Sequence, residues 1–597
     1  MIISGNDIEQ GAHLHAQLVV IGAGPAGIVS ALEASRKGIE VIVVETGNRR
    51  RRRVYQRLSK ARRPQPDLHA PVEFTVSRGI GGTTSIWGGR CVPYDAVDFV
   101  QRDLTRDARW PVSYRDAVAF LDRACEWMQC GRPVFDVRDI EHLPRHLVPG
   151  LEDGDVLTST LERWSLPTNF GKVYFSDLRD TPGLRVVTDT TCVRINLNDD
   201  QSRATGVECR TLSGGSFTIG GDDIIVATGG LESTRLLMCS PGPAGKSIGD
   251  HSGHLGHWYM AHLEGVVADL VLTTPADQTI YYYEHDVDGS YVRRRFTFDH
   301  DYLIQHELPN ISGWIANPEL ADASHRNAWL SLTYLVLHSP LGSLVAPPAQ
   351  RLPLTGRRVP GTPYGMASRS SVWAHIRNLA REPVATIWFG LGFGLKRLFS
   401  SGRRPPGFFV LNRNNRYPFQ YHAEHLPQYD SCVRLSDNVD ELGMPRLEID
   451  IRWTDKDIDG VIAAHRHWDK YLRANGVGRL EYLADDLHAA VRERTGGGFH
   501  QVGTTRMSKD PDDGVVDENL AVHGIPNLHV VASSVFPTSG QANSTLMVVV
   551  FAIRLIEHLY GATSGLNSMP RSASNSCPGR TFADSTSPSS ESDRNGN

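Results

Sequence analysis

The sequence is poor in the features that mark a disulfide-stapled, membrane-spanning or polyanion-binding chain. Eight cysteines are scattered over 597 residues without regular spacing, which excludes a disulfide scaffold. Cys125 and Cys130 lack the second pair that a structural zinc would need. Reduced thiols in a cytoplasmic compartment are therefore expected. A formal net charge of −5 gives no electrostatic case for nucleic acid. The first ten residues have neither the basic n-region nor the apolar h-region of a signal peptide. No stretch approaches a transmembrane span, and the apolar run Leu546–Ile553 stops at Arg554, as a buried helix would. His251, His254 and His257 stand beside Asp250, but glycines break their spacing, so no metal is expected.

What remains is a globular composition, 40% hydrophobic and 22% charged, in a chain too long for one simple core. Two or more lobes are expected. The segment Gln17-Leu-Val-Val-Ile-Gly-Ala-Gly-Pro-Ala-Gly27, followed by Val41-Ile-Val-Val44 and Glu45, reads as strand, glycine turn, helix, strand and terminal acid. Gly22 permits the tight turn, Gly24 lets the backbone approach a pyrophosphate, and Gly27 allows close helix–strand packing. Amides at the helix N-terminus face the phosphates, and Glu45 can accept from a ribose diol. These features predict a dinucleotide site in an α/β, Rossmann-like domain.

Further along, Arg49–Arg53 reads as a solvated loop or, alternatively, as a site for an anionic group or membrane surface. Arg78–Arg90 is a second glycine-rich turn, without the Lys of a P-loop and suited to passing over a flat ring. Ser113 and Asp116 predict the start of an amphipathic helix. Short strands are expected at 184–189, 191–197 and 204–209, then a strand, turn and helix over 223–238 that returns the chain to the dinucleotide domain. Residues 266–490 mix aromatic and polar residues in strand-like stretches, predicting a sheet-based second lobe. Within it, the apolar and basic stretch 384–404 could lie in a membrane interface, line a substrate entrance or pack into the core. Glu424 and His425 read equally as a surface pair or as pocket residues. The Ser-, Asn- and Pro-rich tail is expected to be disordered.

The order of these motifs resembles the glucose–methanol–choline (GMC) family of FAD oxidoreductases, over about residues 17–562. Gly81–Phe99, Trp110-Pro-Val-Ser-Tyr114 and Val226–Leu237 fall where the family pattern places them. The C-terminal block is the most specific: His500-Gln-Val-Gly-Thr-Thr-Arg-Met507 matches HxxGTxxM, and Ser534–Asn543 follows in register. The resemblance implies a discontinuous FAD-binding domain (14–110, 180–265 and 490–562), a mixed-sheet substrate lobe (111–179 and 266–489) and a tail over 563–597. It implies that His500 is the catalytic base and Asn543 its partner, although Asn543 could also serve as a helix N-cap. Flavin contacts are implied at Gly22, Gly24, Pro25, Ala26, Gly27, Glu45, Gly81, Gly82, Thr83, Trp87, Val193, Ala227, Ala532, Ser533, Asn543 and Ser544. Two departures stand out: Ala532 replaces the usual Asp, and Ile86 occupies the position where one branch attaches flavin through His, so non-covalent FAD is expected.

The implied activity is oxidation of an alcohol, on a sugar, glycoside or polyol, by hydride transfer to flavin. A non-redox lyase of the hydroxynitrile type and an FAD-binding scaffold are the alternatives. The acceptor, whether oxygen, a quinone or another carrier, leaves no trace in the sequence.

Overall fold

A computed structural model describes residues 1–166, 168–362, 369–399 and 402–561; the expected disordered tail lies outside them. A nine-stranded sheet organises the first layer. Its strands are β1 (Ile2–Ser4), β2 (His13–Ile21), β3 (Val41–Val44), β4 (Leu184–Thr188), β5 (Thr191–Leu197), β6 (Ala204–Arg210), β7 (Ser216–Val226), β12 (Ala521–Val522) and β13 (Ile525–Val530). The main path runs β1-β4-β3-β2-β7-β13-β12, parallel from β1 to β13, with β5 and β6 appended to β7 as an antiparallel pair. The strands between 184 and 226 match the sequence expectation.

The first βαβ unit forms as its glycines dictate. Gly22 turns at φ 100°, and a Cβ there would lie 2.6 Å from the Ala227 carbonyl. Helix α1 (Pro25–Arg36) starts directly on the sheet, because a Cβ on Gly27 would sit 1.9 Å from the Gly22 carbonyl. Helix α2 (Gly230–Met238) follows β7 in the same manner. The run Leu546–Ile553 belongs to helix α7 (Thr545–Tyr560), which packs on α1 and is buried along most of its length. The helix expected after Ser113 does begin there, with the Asp116 amide donating to Ser113 Oγ at 3.2 Å. It then breaks, because Phe120 leaves helical geometry (φ −114°, ψ 24°) before a second helix over Leu121–Met128.

The second layer is an antiparallel sheet of β8 (His262–Leu272), β9 (Ile311–Ile315), β10 (Arg416–Glu424) and β11 (Gly478–Tyr482), in the order β9-β10-β8-β11. Helix α6 (Asp455–Ala474) covers it and sends Trp468 fully into its core. In β8 and β10, His262 pairs with Glu424 and Glu264 with His422, which puts all four on one sheet face. The sheet-based expectation for 266–490 fails between the second and third of these strands. There the chain forms helices α3 (Ala328–His338), α4 (Val372–Arg381) and α5 (Pro383–Phe389), with Asn327 and Ser371 capping α3 and α4 through the Leu330 and Ala374 amides.

Candidate active site

At the carboxyl ends of β2, β3 and β7 the large sheet opens into a cleft. This is where ligands bind in open α/β sheets. Gly22, Gly24, Pro25, Ala26, Glu45, Gly82, Thr83, Trp87, Ala227, Ala532, Ser533, Ser544 and His500 all line it. The start of α1 presents amides with no intrahelical partner to this space, and nothing lies within 4 Å of a Cβ built on Gly24. Glu45 is buried and oriented by amide donors, Ala23 N–H to Oε2 and Gly47 N–H to Oε1, both at 2.8 Å. Its remaining lone pairs are available to a ribose.

Not every expected contact reaches the cleft. Gly27 packs beneath it, and Gly81 acts by donating its N–H to the Ala23 carbonyl at 2.7 Å, joining the second glycine turn to the first. Val193 packs with Leu58, Leu442 and Met444, while its neighbour Cys192 lines the cleft, as strand alternation requires. Thr46, Ser77, Arg78 and Glu232 also line the cleft and were not anticipated; Arg78 and Glu232 pair at 2.6 Å.

The cleft ends at a histidine cluster. The Ser539 carbonyl takes the Nε2–H of His262 at 3.2 Å, so the lone pair of that neutral ring is on Nδ1. This lone pair faces His500 Nδ1 at 2.9 Å and requires the proton there. His500 Nε2 is left as an acceptor and takes an Asn543 amide N–H at 2.8 Å. His422 stacks on His262 at 4.3 Å and donates Nδ1–H to the Gln541 carbonyl at 2.6 Å. Burial, reinforced by the Arg90 charge, holds His500 down at about 4. His262 and His422 lie well below their usual range for the same first reason. All three rings are therefore neutral near pH 7, as the hydrogen-bond network demands.

Ring nitrogens of the three histidines lie within 4.8 Å of one another. The 2.9 Å contact between His262 and His500 is nevertheless shorter than the roughly 3.3 Å between two nitrogens on a tetrahedral zinc. Hydrogen bonding, with the Arg90 cation nearby, is what this geometry serves. Arg90 belongs to a buried group in which Arg90 and Arg293 share Glu162. The Arg90 and Arg293 guanidiniums lie 4.7 and 4.5 Å from the Trp314 ring centre.

Glu424 and His425 turn out to be neither a surface pair nor pocket residues. Glu424 is buried in a bidentate ion pair with Arg102 (2.7 and 2.8 Å) and also accepts the Asn310 N–H. His425 is buried against Trp453, taking the Ala261 N–H and donating to the Arg452 carbonyl. Arg49–Arg53 are exposed, with Arg49 over Phe175, which fits the solvated-loop reading. The described cysteines are all free.

A cleft at the carboxyl ends of a parallel sheet, lined by the glycine turns and ending at a neutral His–Asn pair, has the form of a nucleotide-binding site. Two models described as GMC oxidoreductase match residues 168–263 and 427–552, and an FAD binding domain model matches 17–54. The chain carries the N- and C-terminal domains of the GMC oxidoreductases together with an FAD-binding domain. It is 33% identical over 132 residues to 6'''-hydroxyparomomycin C oxidase of Streptomyces lividus, covering 22% of this chain and 23% of that protein. It is 31% identical over 139 residues to paromamine 6'-oxidase of Streptomyces fradiae, covering 23% and 24%. These alignments span less than a quarter of the curated relatives. A solved formate oxidase aligns over 92% of this chain and 99% of its own, at 16% identity and a TM-score of 0.48. Among the described residues no helix is long and apolar enough to cross a membrane.

Proposed function

We propose that this chain oxidises the CH–OH group of a small alcohol, a sugar, glycoside or polyol, with His500 as base and Asn543 as its partner. The observation that carries this reading is the fixed tautomer of His500, whose Nε2 lone pair faces the Asn543 amide at the cleft's end. Glu45, the α1 N-terminus, Trp87 and Ser533 would hold FAD non-covalently, since Ile86 offers no nucleophile. Bound FAD supplies the hydride acceptor.

The remaining chemistry is the chain's own. His500 Nε2 takes the hydroxyl proton, and the Asn543 N–H turns from the imidazole to the substrate oxygen as negative charge develops there. The imidazolium so formed donates Nδ1–H to His262, a charge-assisted bond stronger than the neutral one it replaces. The names of the two curated relatives support the same substrate class. Oxygen, a quinone or another carrier then takes the electrons, and the free thiols favour a cytoplasmic setting.

The test is the anaerobic absorbance spectrum of the purified protein against sugars, glycosides, polyols and simple alcohols. Bleaching of the oxidised flavin band by one class is expected. His500→Ala should slow that reduction at least about 10²-fold with FAD still bound. A yellow protein that no alcohol bleaches would instead support the non-redox lyase or the scaffold, and unchanged reduction in His500→Ala would remove the base assignment.

A further inference from the structure

Among the described residues, thirteen of the twenty-five exposed large apolar side chains fall between Val336 and Leu395, in the helical stretch that interrupts the second sheet. Two of its helices show apolar side chains to solvent, and one of them is turned inside out. Helix α4 buries His375 and Asn378 and exposes Val372, Trp373 and Ile376. The buried pair is held within the protein: His375 Nδ1 lies 3.1 Å from Ser331 Oγ and its ring stacks on Tyr334, and Asn378 donates to the Ala323 carbonyl at 2.9 Å. On α5 and the turns that continue it, Val384, Ile387, Trp388, Leu391 and Leu395 follow an i, i+3, i+4, i+7, i+11 stripe, which is one helix face. Trp373 and Trp388 are 77% and 71% exposed. The other side of α5 already has a partner, with Phe389 stacked on Trp329 at 4.8 Å. A folded chain gains nothing in water by burying its amides and imidazoles while displaying its tryptophans.

The charge of this stretch names the occupant. Residues 336–404 hold ten Lys and Arg and a single acid, Glu382, in a chain whose net charge is −5. Arg357, Arg358, Arg369, Arg377, Arg381 and Lys396 are exposed around the apolar stripes. A strongly basic, tryptophan-bearing patch on an otherwise acidic protein is complementary to an anionic lipid surface, where indoles sit at headgroup level and cations meet phosphates. We infer that the 336–404 helices dock this protein peripherally on an anionic bilayer. The contact is wider than the 384–404 stretch that the sequence singles out, because α4 and the residues around Leu341 and Leu344 join it. It also reaches the cofactor cleft: Gln350, on the short helix Pro348–Leu354, donates to the carbonyl of Ile86, next to the cleft-lining Trp87. This inference rests on the surface alone and stands apart from the reaction proposed above.

The test is co-sedimentation of the full chain with phosphatidylcholine vesicles, with and without phosphatidylglycerol. Quenching of tryptophan emission by brominated lipid chains follows insertion. Binding to the anionic vesicles that weakens with salt, and quenching of Trp373 and Trp388, are expected. Arg377→Gln with Arg381→Gln, both exposed, should weaken binding roughly 30-fold without threatening the fold. Trp388→Glu should weaken it at least roughly tenfold while the flavin spectrum stays unchanged. A chain that ignores both kinds of vesicle would overturn the inference. So would a dimer on gel filtration that Trp388→Glu converts to monomer without any vesicle binding, since the patch would then face a second copy.

Discussion

Replacing His262 by Ala tests the arrangement behind the base, and its effect can be worked from the geometry. The mutation removes the only acceptor assigned to His500 Nδ1–H, 2.9 Å away in a site where His262 itself is 4% exposed. A buried donor left unpaired costs about 1–3 kcal/mol. The neutral ring escapes that cost by moving its proton to Nε2 while the Asn543 amide turns over, which brings Oδ1, a buried oxygen with no partner in the present arrangement, to the place its N–H now holds. That tautomer has no lone pair to offer a substrate hydroxyl. At 1.36 kcal/mol per tenfold, flavin reduction should slow about 5- to 150-fold. Anaerobic stopped-flow reads the rate, and the flavin band confirms that FAD is retained. Free imidazole should restore part of the rate by filling the cavity with a new acceptor. A His262→Ala protein that reduces flavin at the parental rate, with the parental pH profile, would refute the positioning role.

Other expectations follow from charges that the fold buries. In the parental protein, flavin reduction should be flat near neutral pH and fall as pH drops through about 4, where His500 gains its proton; Arg90→Gln removes a cause of that low value and should move the acid limb to higher pH. Glu424→Gln leaves Arg102 as an unpaired buried cation, so stability should fall by about 3–5 kcal/mol in denaturant titrations. Flavin reduction by the folded fraction should be unaffected, because Glu424 does not line the cleft. His69, His465, His500 and His529 are held at about 4 by burial. The unfolded chain takes up protons at about 6.5, so their neutral burial costs nothing above that pH and stability is lost as pH falls from there towards 4. Four such groups give up to roughly 5 kcal/mol per pH unit at the steepest point, and equal urea midpoints at pH 7 and pH 5 would contradict it.

What could be read in advance was local chemistry. Gly22, Gly27 and Glu45 lie within one βαβ unit, where φ, backbone clearance and a strand tip are settled by near neighbours. The C-terminal block was legible as a motif, and its His500 and Asn543 do meet. His262 and His422 were not legible: they sit on β8 and β10, far apart in sequence, and only antiparallel register makes them diagonal neighbours on one face. Their signal was faint, a histidine in each of two strands facing one sheet surface. Glu424 and His425 drew attention for their residue types, yet burial assigned them an ion pair and a stacking contact. Helices α3 and α5 were not foreseen because Ala328–His338 and Pro383–Phe389 are apolar on most sides and carry no clear period, and α4 because it buries its polar side and shows its apolar one.

The split sheet also fixes when the cleft can come into being. Strand β7 lies between β2 and β13, yet β13 is made almost 300 residues after β7 in the order of synthesis. Until Ile525–Val530 leaves the ribosome, Ile224–Val226 of β7 lack their partner on the side where β6 covers only Ser216–Gly220, leaving a short edge able to pair with a neighbouring chain. Ala532 and Ser533 close the cleft's floor after that, and Ser544 and α7 cap α1 later still. A nascent chain can therefore present the glycine turn long before it can hold a cofactor, and the base and its amide partner arrive with the last elements to fold. On the proposed function, a cofactor can therefore be held only once residues 525–560 have joined the large sheet.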